Sequence, residues 1–149
     1  MRQSYEASIR ELVRLNLLAD DDAPTTAPTR RSQYDDEELG IEFFRTQVTD
    51  ADLSGLTIPG LFFGRSEIAR CTFRNSDLHM STMCWNDFVD VDFTDACLAD
   101  CDLRASTFER CRFSNADVTR ALVGRDQLID LSEEQRRAVV WCDEEPDGG

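Results

Sequence analysis

The chain has 149 residues, which corresponds to one domain with a short extension. Its 30 acidic residues against 16 basic ones give a formal net charge of −14, which argues against binding to nucleic acid or to an anionic membrane. No run approaches the roughly 20 apolar residues that span a bilayer, and the first residues lack the apolar core of a signal peptide. These features predict a cytoplasmic protein with reduced cysteines. Every basic residue is arginine, which is typical of a high-GC bacterial genome.

The first 40 residues predict a short helix followed by a linker. Apolar residues recur at helical spacing within residues 5–19, which indicates an amphipathic helix. They are Ile9, Leu12, Val13 and Leu17. From Asp20 to about Glu38 the chain is polar and contains two prolines, so this part is predicted to be a flexible acidic linker. We therefore assign residues 1–40 to an N-terminal helix and linker.

A period of five residues organises the middle of the chain. The 80 residues from Thr46 to Arg125 divide into sixteen pentads, and the third residue of each is Val, Ile, Leu, Met or Phe. These third positions are Val48, Leu53, Ile58, Phe63, Ile68, Phe73, Leu78, Met83, Phe88, Phe93, Leu98, Leu103, Phe108, Phe113, Val118 and Val123. A period of five fits neither a helix nor a strand, but it suits a backbone that turns a corner every five residues. The frame extends by one pentad in each direction, through Phe43 and Leu128.

Three pentads resemble the A-(D/N)-L-x-x unit of the pentapeptide-repeat family. They are Ala51-Asp52-Leu53-Ser54-Gly55, Ala96-Cys97-Leu98-Ala99-Asp100 and Ala116-Asp117-Val118-Thr119-Arg120. Members of that family form a right-handed quadrilateral β-helix with four pentads in each coil. The resemblance therefore implies an all-β solenoid of about four coils over residues 41–130. Coils of twenty residues would place Leu53, Phe73, Phe93 and Phe113 in one column, and Ile58, Leu78, Leu98 and Val118 in another.

The C-terminal segment predicts a cap for the last coil. Residues 132–135, Ser-Glu-Glu-Gln, match a capping box, which predicts a helix from there through about Trp141. A solenoid must cover its open apolar end, and we expect Ala138, Val139 and Trp141 to do so. We assign residues 131–149 to this helix and an acidic tail. The family resemblance implies an alternative role, homodimerisation through the C-terminal helix, which we favour less than capping.

No motif of a catalytic or metal site stands out. The chain lacks a phosphate-binding glycine loop, a Gly-x-Ser-x-Gly elbow and a His-Glu-x-x-His motif. The one histidine, His79, falls at an outward position, and Cys97 and Cys101 point to opposite sides, so they do not share an ion. Cys71, Cys101 and Cys111 fill small inward positions. We predict a protein that is not an enzyme and that uses no cofactor and no metal.

Apolar side chains at outward positions indicate a candidate protein-binding surface. The second, fourth and fifth residues of a pentad should face solvent, and an exposed apolar patch there marks an interaction site. Met80 and Trp85 lie at successive corners of one coil, and tryptophan is enriched in binding hot spots. Burial under the terminal helices is the alternative for Phe62 and Leu122, and packing under a flanking segment is an equally weighted alternative for Trp85. The candidate surface consists of Met80, Trp85, Phe62 and Leu122, bordered by Arg65 and Arg125.

The acidity favours a second hypothesis from the same resemblance. Some pentapeptide-repeat proteins resemble duplex DNA, and they bind and protect type II topoisomerases such as DNA gyrase. The net charge here is −4 over residues 1–45, −4 over residues 46–125 and −6 over residues 126–149, so most of the excess lies outside the rod. Four coils would also make a rod of only about 19 Å, which corresponds to roughly eleven phosphates of duplex DNA.

The register further predicts that most acids in the rod are paired. Across a spacing of twenty residues, Asp90, Asp92 and Asp100 should meet Arg110, Arg112 and Arg120, and Arg70 should flank Asp90. The candidate DNA-mimic acids without an assigned arginine are Asp87, Asp95 and Asp102. The leading functional hypothesis is therefore a non-enzymatic interaction module that binds a cytoplasmic protein, in an immunity, resistance or adaptor role. Topoisomerase protection by DNA mimicry is the alternative.

Overall fold

The computed structural model describes residues 2–19, 26–31 and 41–146, and it is a four-sided β-solenoid with a short helix near each end. The helices are α1 (Tyr5–Arg14) and α2 (Glu133–Ala138). The strands are β1 (Glu42–Phe44), β2 (Gln47–Thr49), β3 (Phe62–Gly64), β4 (Glu67–Ala69), β5 (Thr82–Cys84), β6 (Asp87–Val89), β7 (Thr107–Glu109), β8 (Leu122–Gly124) and β9 (Val140–Cys142). Of the predicted linker, only residues 26–31 fall within the described residues. Among these residues, no helix has the length and apolarity to cross a membrane.

The corners of the solenoid explain the period of five. Every fifth residue from Arg45 to Arg120 has a positive φ, between +53° and +69°. Only two of these residues are glycine, Gly55 and Gly60. Because the left-handed conformation changes the direction of an extended chain, each of these residues ends one side and starts the next.

Neighbouring coils pair in parallel at a spacing of twenty residues. Phe63 pairs with Met83 in the sheet β1-β3-β5, and Ile68 pairs with Phe88 in the sheet β2-β4-β6-β7. The other two sides are joined by single bridges of the same spacing. The predicted four-sided coil is therefore confirmed, and the pentad that ends at Arg45 adds one rung before the predicted first coil.

The third-position residues fill the inside of the solenoid and define its four faces. Face 1 contains Phe43, Phe63, Met83, Leu103 and Val123; face 2 contains Val48, Ile68, Phe88 and Phe108; face 3 contains Leu53, Phe73, Phe93 and Phe113; face 4 contains Ile58, Leu78, Leu98 and Val118. All are buried except Phe108, which is partly buried. On face 3 the ring of Phe93 stacks on Phe73 at 5.4 Å and on Phe113 at 5.1 Å, as the register predicts.

Polar first-position side chains complete the bonding between coils. The Ser66 hydroxyl accepts from the Thr46 N–H at 3.2 Å and donates to the Phe43 carbonyl at 3.1 Å. One coil further, Asn86 Oδ1 accepts from the Ser66 N–H, and the Ser106 hydroxyl accepts from the Asn86 N–H. These buried groups are satisfied by this ladder, which also fixes the register of the coils.

The three cysteines predicted to point inward are buried. Cys71, Cys101 and Cys111 occupy first positions like the serines, and the Cys101 thiol donates to the Leu78 carbonyl at 3.0 Å. Burial raises the pKa of Cys111 to about 11 and also raises the pKa of Cys71 and Cys101. These thiols are therefore protonated packing groups at neutral pH.

Helix α1 covers the N-terminal end of faces 3 and 4. Its buried residues Ile9 and Leu12 join the core, and the Ser8 hydroxyl accepts from the Thr57 N–H at 2.8 Å. The helix ends earlier than the predicted boundary because Asn16, with a φ of +61°, takes the left-handed conformation that stops a helix.

The C-terminal cap combines a helix with a strand. The capping box at Ser132 is present as predicted, but α2 ends at Ala138, so the prediction of a helix through Trp141 is wrong. Trp141 lies in β9, which pairs in parallel with β8, and the Val140 N–H donates to the Ala121 carbonyl at 2.8 Å. Two valines followed by tryptophan favour a strand, and this strand covers the open edge of β8. Ala138, Val139 and Trp141 all pack on the core, as expected of a cap.

The repeat does not continue to Leu128, because this side chain is 91% exposed. The chain leaves the solenoid after Arg125, and Gln127 folds back to end the ladder of first positions. Its Nε2 donates to the carbonyls of Leu103 and Ser106 at 2.7 and 2.8 Å, as a further coil would. With the ladder closed in this way, β7 is the last strand of its sheet.

Candidate protein-interaction surface

The fifth-position residues form four columns, one at each corner. The Trp85 corner contains Arg45, Arg65, Trp85, Ala105 and Arg125; the Met80 corner contains Gly60, Met80, Asp100 and Arg120; the Asp90 corner contains Asp50, Arg70, Asp90 and Arg110; the Asp95 corner contains Gly55, Asn75, Asp95 and Asn115. Face 1 lies between the Met80 corner and the Trp85 corner, because each of its strands runs from one to the other. The candidate residues Met80, Trp85, Phe62, Leu122, Arg65 and Arg125 therefore all lie on face 1 or at its two corners.

The Trp85 corner combines arginines with aromatic rings. The guanidinium of Arg65 lies over the half-buried Trp85 ring at 5.2 Å, and that of Arg45 lies over the Phe44 ring at the same distance. Both are cation–π contacts. Phe44 is 39% exposed, and both arginines are exposed. Arginine and tryptophan are the residue types enriched in binding hot spots, and here they share one edge.

The middle of face 1 is covered, which changes the prediction for Phe62. Its side chain points outward but is only 2% exposed, and the neighbouring outward residues Thr82 and Cys84 are 6% and 1% exposed. Phe62 therefore does not present an accessible ring in this structure. Burial raises the pKa of the Cys84 thiol. Leu122 is half-buried beside β9, where it pairs with Val140.

The three candidate DNA-mimic acids lie on different sides of the rod. Asp87 is exposed on face 2, where it accepts from the Thr107 hydroxyl at 2.7 Å, and Asp95 is exposed at its own corner. Asp102 is 5% exposed on face 1, where Arg104 binds it through two hydrogen bonds of 2.8 and 2.9 Å. Asp102, to which the register assigned no arginine, is paired, because an arginine two positions along the same side of its coil reaches it. The twenty-residue register predicts partners only in neighbouring coils.

Two of the predicted pairs between coils are confirmed. Arg110 binds Asp90, and Arg120 binds Asp100, each through two hydrogen bonds that start at 2.8 Å. These hydrogen bonds are the main cause that lowers the pKa of both carboxyls. Asp92 and Arg112 are register partners as predicted, but the Asp92 carboxylate forms its ion pair with the Arg74 guanidinium, at 3.6 Å.

Charges alternate along the Asp90 corner. Arg70 binds Asp50 through two hydrogen bonds of 2.8 and 3.1 Å, rather than acting as the main partner of Asp90. The column therefore reads Asp50, Arg70, Asp90 and Arg110, with an ion pair in each half. This corner carries no surplus of negative charge.

Residues 26–31 lie along the Met80 corner, a contact that the linker prediction missed. Arg31 Nη1 donates to the Asp100 carbonyl at 2.9 Å. Pro28 packs so closely on Gly60 that a Cβ atom at this glycine would lie 2.7 Å from the proline Cγ. We call residues 26–31 the strap. Its polar, proline-bearing composition indicates a linker. The one feature of the sequence that hints at the contact is Gly60, a glycine at the Met80 corner.

The described residues contain no group of three or more His, Cys, Asp and Glu side chains that could hold a metal ion. His79 is 37% exposed, and its Nδ1 lies 2.7 Å from Asp77 Oδ1. Cys97, predicted to face outward, is half-buried. The exposed arginines and the aromatic rings around face 1 can contact another molecule, so this part of the surface is suited to binding.

The parallel coils, the corners at every fifth residue and the inward third positions together define a quadrilateral β-solenoid. A family model described as "Pentapeptide repeats" matches residues 87–122 with eight copies. Residues 87–122 are therefore pentapeptide repeats, as the resemblance of the sequence implies. No curated protein matches it.

Solved structures of similar proteins include two from photosynthetic organisms. A pentapeptide repeat protein from Nostoc PCC 7120 is 16% identical over 95% of this chain and 99% of its own, with a TM-score of 0.45. One from the Arabidopsis thaliana thylakoid lumen is 18% identical over 66% of this chain and 70% of its own, with a TM-score of 0.40. A plasmid-mediated fluoroquinolone resistance protein is 12% identical over 56% of this chain and 57% of its own, with a TM-score of 0.22. The fold described here rests on the twenty-residue register of the chain itself.

Proposed function

We propose that this protein is a non-enzymatic interaction module that binds another protein in the cytoplasm through the two corners of face 1 and the part of this face that is accessible. An adaptor, immunity or resistance role fits such a module. The observation that carries the proposal is the Trp85 corner, where Arg65 lies over Trp85 and further arginines continue the column. A surface that combines arginine and tryptophan resembles the centre of a protein interface rather than a solvated scaffold.

The charge distribution supports a protein partner over DNA mimicry. The Trp85 corner bears arginines, whereas the acids of the rod are largely engaged with arginines or hydroxyls, as at Asp90 and Asp102. A DNA mimic needs a continuous surface of unpaired negative charge, since duplex DNA carries one charge per roughly 1.7 Å. The accessible part of face 1 should instead fit a partner surface that offers an apolar contact and carboxylates.

Affinity capture from a bacterial lysate at 0.15 and 0.5 M salt tests this proposal. We expect one partner to be retained at both salt concentrations by the wild type and to be lost with Trp85→Ala and with Arg65→Ala. Arg112→Ala is the matched control, because Arg112 is an exposed arginine on face 3, across the rod from face 1. This control should retain the partner.

Two results would contradict the proposal. Capture that is indifferent to both Trp85→Ala and Arg65→Ala would exclude this corner as the binding surface. Recovery of a topoisomerase subunit only at low salt, lost when Asp87 and Asp95 are neutralised, would favour the DNA-mimic alternative.

A further inference from the structure

We infer that the Met80 corner is a binding site for a protein segment with a proline and an arginine three residues apart. In this structure the chain's own strap, residues 26–31, fills the site through Pro28 and Arg31. This inference names the chemistry of the partner for the proposed function, and it rests on that function. A partner that presents the same two groups would replace the strap.

The proline end of the site depends on a glycine. Gly60 is a corner residue with a φ of +69°, and a Cβ there would lie 2.7 Å from Pro28 Cγ and 2.8 Å from Pro28 Cβ. Separations this short do not occur between packed carbon atoms, so any other residue at this corner would push the ring away. The lack of a side chain is what admits a proline ring to this part of the rod.

The arginine end uses the backbone of the third coil. The Arg31 guanidinium donates to the Asp100 carbonyl at 2.9 Å in a partly buried position. The Asp100 carboxylate is bound by Arg120, so it holds a negative charge beside the incoming guanidinium. A hydrogen bond from a charged donor in a partly buried site is stronger than one between neutral groups.

The spacing of the two ends matches the spacing of the coils. Gly60 and Asp100 belong to the first and third coils, so they are two rungs apart, about 9.6 Å along the axis. Three residues span at most about 10 Å, so a proline and an arginine at this spacing can reach both contact points. Met80 lies between the two contact points in the same column. The corner therefore fits a proline and an arginine at this separation, and in the strap Thr29 and Arg30 lie between them.

Because the strap is part of the same chain, a partner needs a minimum affinity to displace it from the Met80 corner. A segment tethered to its own site acts at a high effective concentration, so a partner segment must either bind more tightly or add contacts elsewhere. The Trp85 corner, on the other side of face 1, supplies such contacts. A partner that spans face 1 would engage both corners.

A peptide titration tests the site directly. The probe is the hexapeptide Thr-Ala-Pro-Thr-Arg-Arg, which copies the strap, added to the full-length ¹⁵N-labelled protein. In the double variant Pro28→Gly/Arg31→Ala, we expect saturable amide shifts at Gly60, Met80 and Asp100. In the wild type the half-saturating concentration should be at least tenfold higher, because the tethered strap competes. The control peptide Thr-Ala-Gly-Thr-Arg-Ala should give no shift.

A pair of glycine variants separates this site from a general effect on folding. Gly60→Ala should abolish peptide binding and speed tryptic cleavage after Arg31, because the strap can no longer pack. Gly55→Ala is the matched control, since Gly55 is also a corner glycine with a φ of +68° and the added backbone strain is the same. It should leave both measurements as in the wild type.

Each negative result has a distinct meaning. No saturable shift, or equal titrations in the wild type and the double variant, would overturn the inference even if partner capture depends on Trp85. Peptide binding without any Trp85-dependent partner would overturn the proposed function, and with it the role of the corner in partner binding. Equal responses of Gly60→Ala and Gly55→Ala would show that the fit of Pro28 on glycine is not specific.

Discussion

At the scale of single residues, the corners are the most demanding positions of this fold. Sixteen consecutive fifth positions adopt positive φ, yet fourteen of them carry a side chain. A residue with a Cβ loses roughly 1–2 kcal/mol in this conformation, whereas glycine adopts it freely. Most corners therefore carry this conformational strain. Several of the side chains at these corners form the columns of charged and aromatic groups.

Ala105 offers a clean measurement of that cost, because its methyl group contributes little else. We expect Ala105→Gly to raise the free energy of unfolding by about 1 kcal/mol, since relief of backbone strain outweighs the added freedom of the unfolded chain. Urea denaturation followed by circular dichroism measures the change.

The control for this variant is Ala99→Gly, one residue before a corner, where φ is not positive. This change should lower the stability by about 0.5–1 kcal/mol. If both variants shift stability in the same direction, the corner conformation is not the source of the effect.

At the scale of elements, the open end of the solenoid is closed by two glutamines as much as by α2 and β9. Gln127 satisfies the carbonyls of Leu103 and Ser106, and Gln135 satisfies those of Phe113 and Ala116 at 2.6 and 3.1 Å. Each glutamine donates to one carbonyl that a first-position side chain of a further coil would bind, and to one that a second-position N–H of that coil would bind. The last coil thereby ends without leaving these acceptors to be hydrated inside the cap.

We expect Gln127→Ala to lower the free energy of unfolding by about 1–3 kcal/mol, because two partly buried carbonyls lose their donor. Thermal or urea denaturation measures this loss. Leu128→Ala is the control in the adjacent position, since its side chain is 91% exposed and its removal should change stability by less than about 0.5 kcal/mol. Equal stability of Gln127→Ala and the wild type would mean that water replaces the amide at no cost.

The sequence predicts the elements of the rod well and those at its ends less well. Within the rod, the third-position pattern is enough to predict which residues are buried, because each pentad repeats the same geometry. At the C-terminal end of the rod, Leu128 fits the third-position pattern by residue type. It is not buried, because the chain does not continue alongside β7 to form another coil. Trp141 likewise fits a helical cap, although the unpaired edge of β8 makes a strand more favourable.

In the candidate site, too, the sequence predicts some features and not others. Positions of Met80, Trp85 and Arg65 around one face follow from the register, so the sequence alone is sufficient to group them. The burial of Phe62 and the contact of Pro28 with Gly60 are not predictable in this way. Both depend on how segments outside the repeat pack on the rod, and periodicity carries no information about such contacts.

At the scale of the whole molecule, the ion pairs between coils couple stability to pH. Hydrogen bonds from arginines lower the pKa of Asp50, Asp90 and Asp100 below that of the unfolded chain. The stabilisation is therefore complete above the unfolded value of about 3.9 and is lost as the pH falls through the lower folded values. We expect the free energy of unfolding to decrease on acidification below about pH 4.

Comparison of two variants assigns this pH dependence to the paired acids. Asp90→Asn should flatten the acid limb of the stability curve, because one of the lowered carboxyls is removed. Asp95→Asn should leave the curve unchanged, since no described arginine forms an ion pair with Asp95 at its corner. A curve that responds equally to both would indicate general charge repulsion instead. Chemical denaturation at a series of pH values from 2 to 7 provides the measurement.

The alternating charges of the Asp90 corner give the rod a second period that the hydrophobic pattern does not contain. The four faces repeat every twenty residues, but the sequence Asp50, Arg70, Asp90 and Arg110 repeats only every forty. Excising residues 61–80 would join the pentads in frame and preserve every face, yet it would bring Asp50 directly beside Asp90. Loss of residues 61–100 would restore an aspartate beside an arginine. A rod of this kind can change its length by one coil and keep its shape. To keep oppositely charged residues adjacent at this corner, it must change its length by two coils.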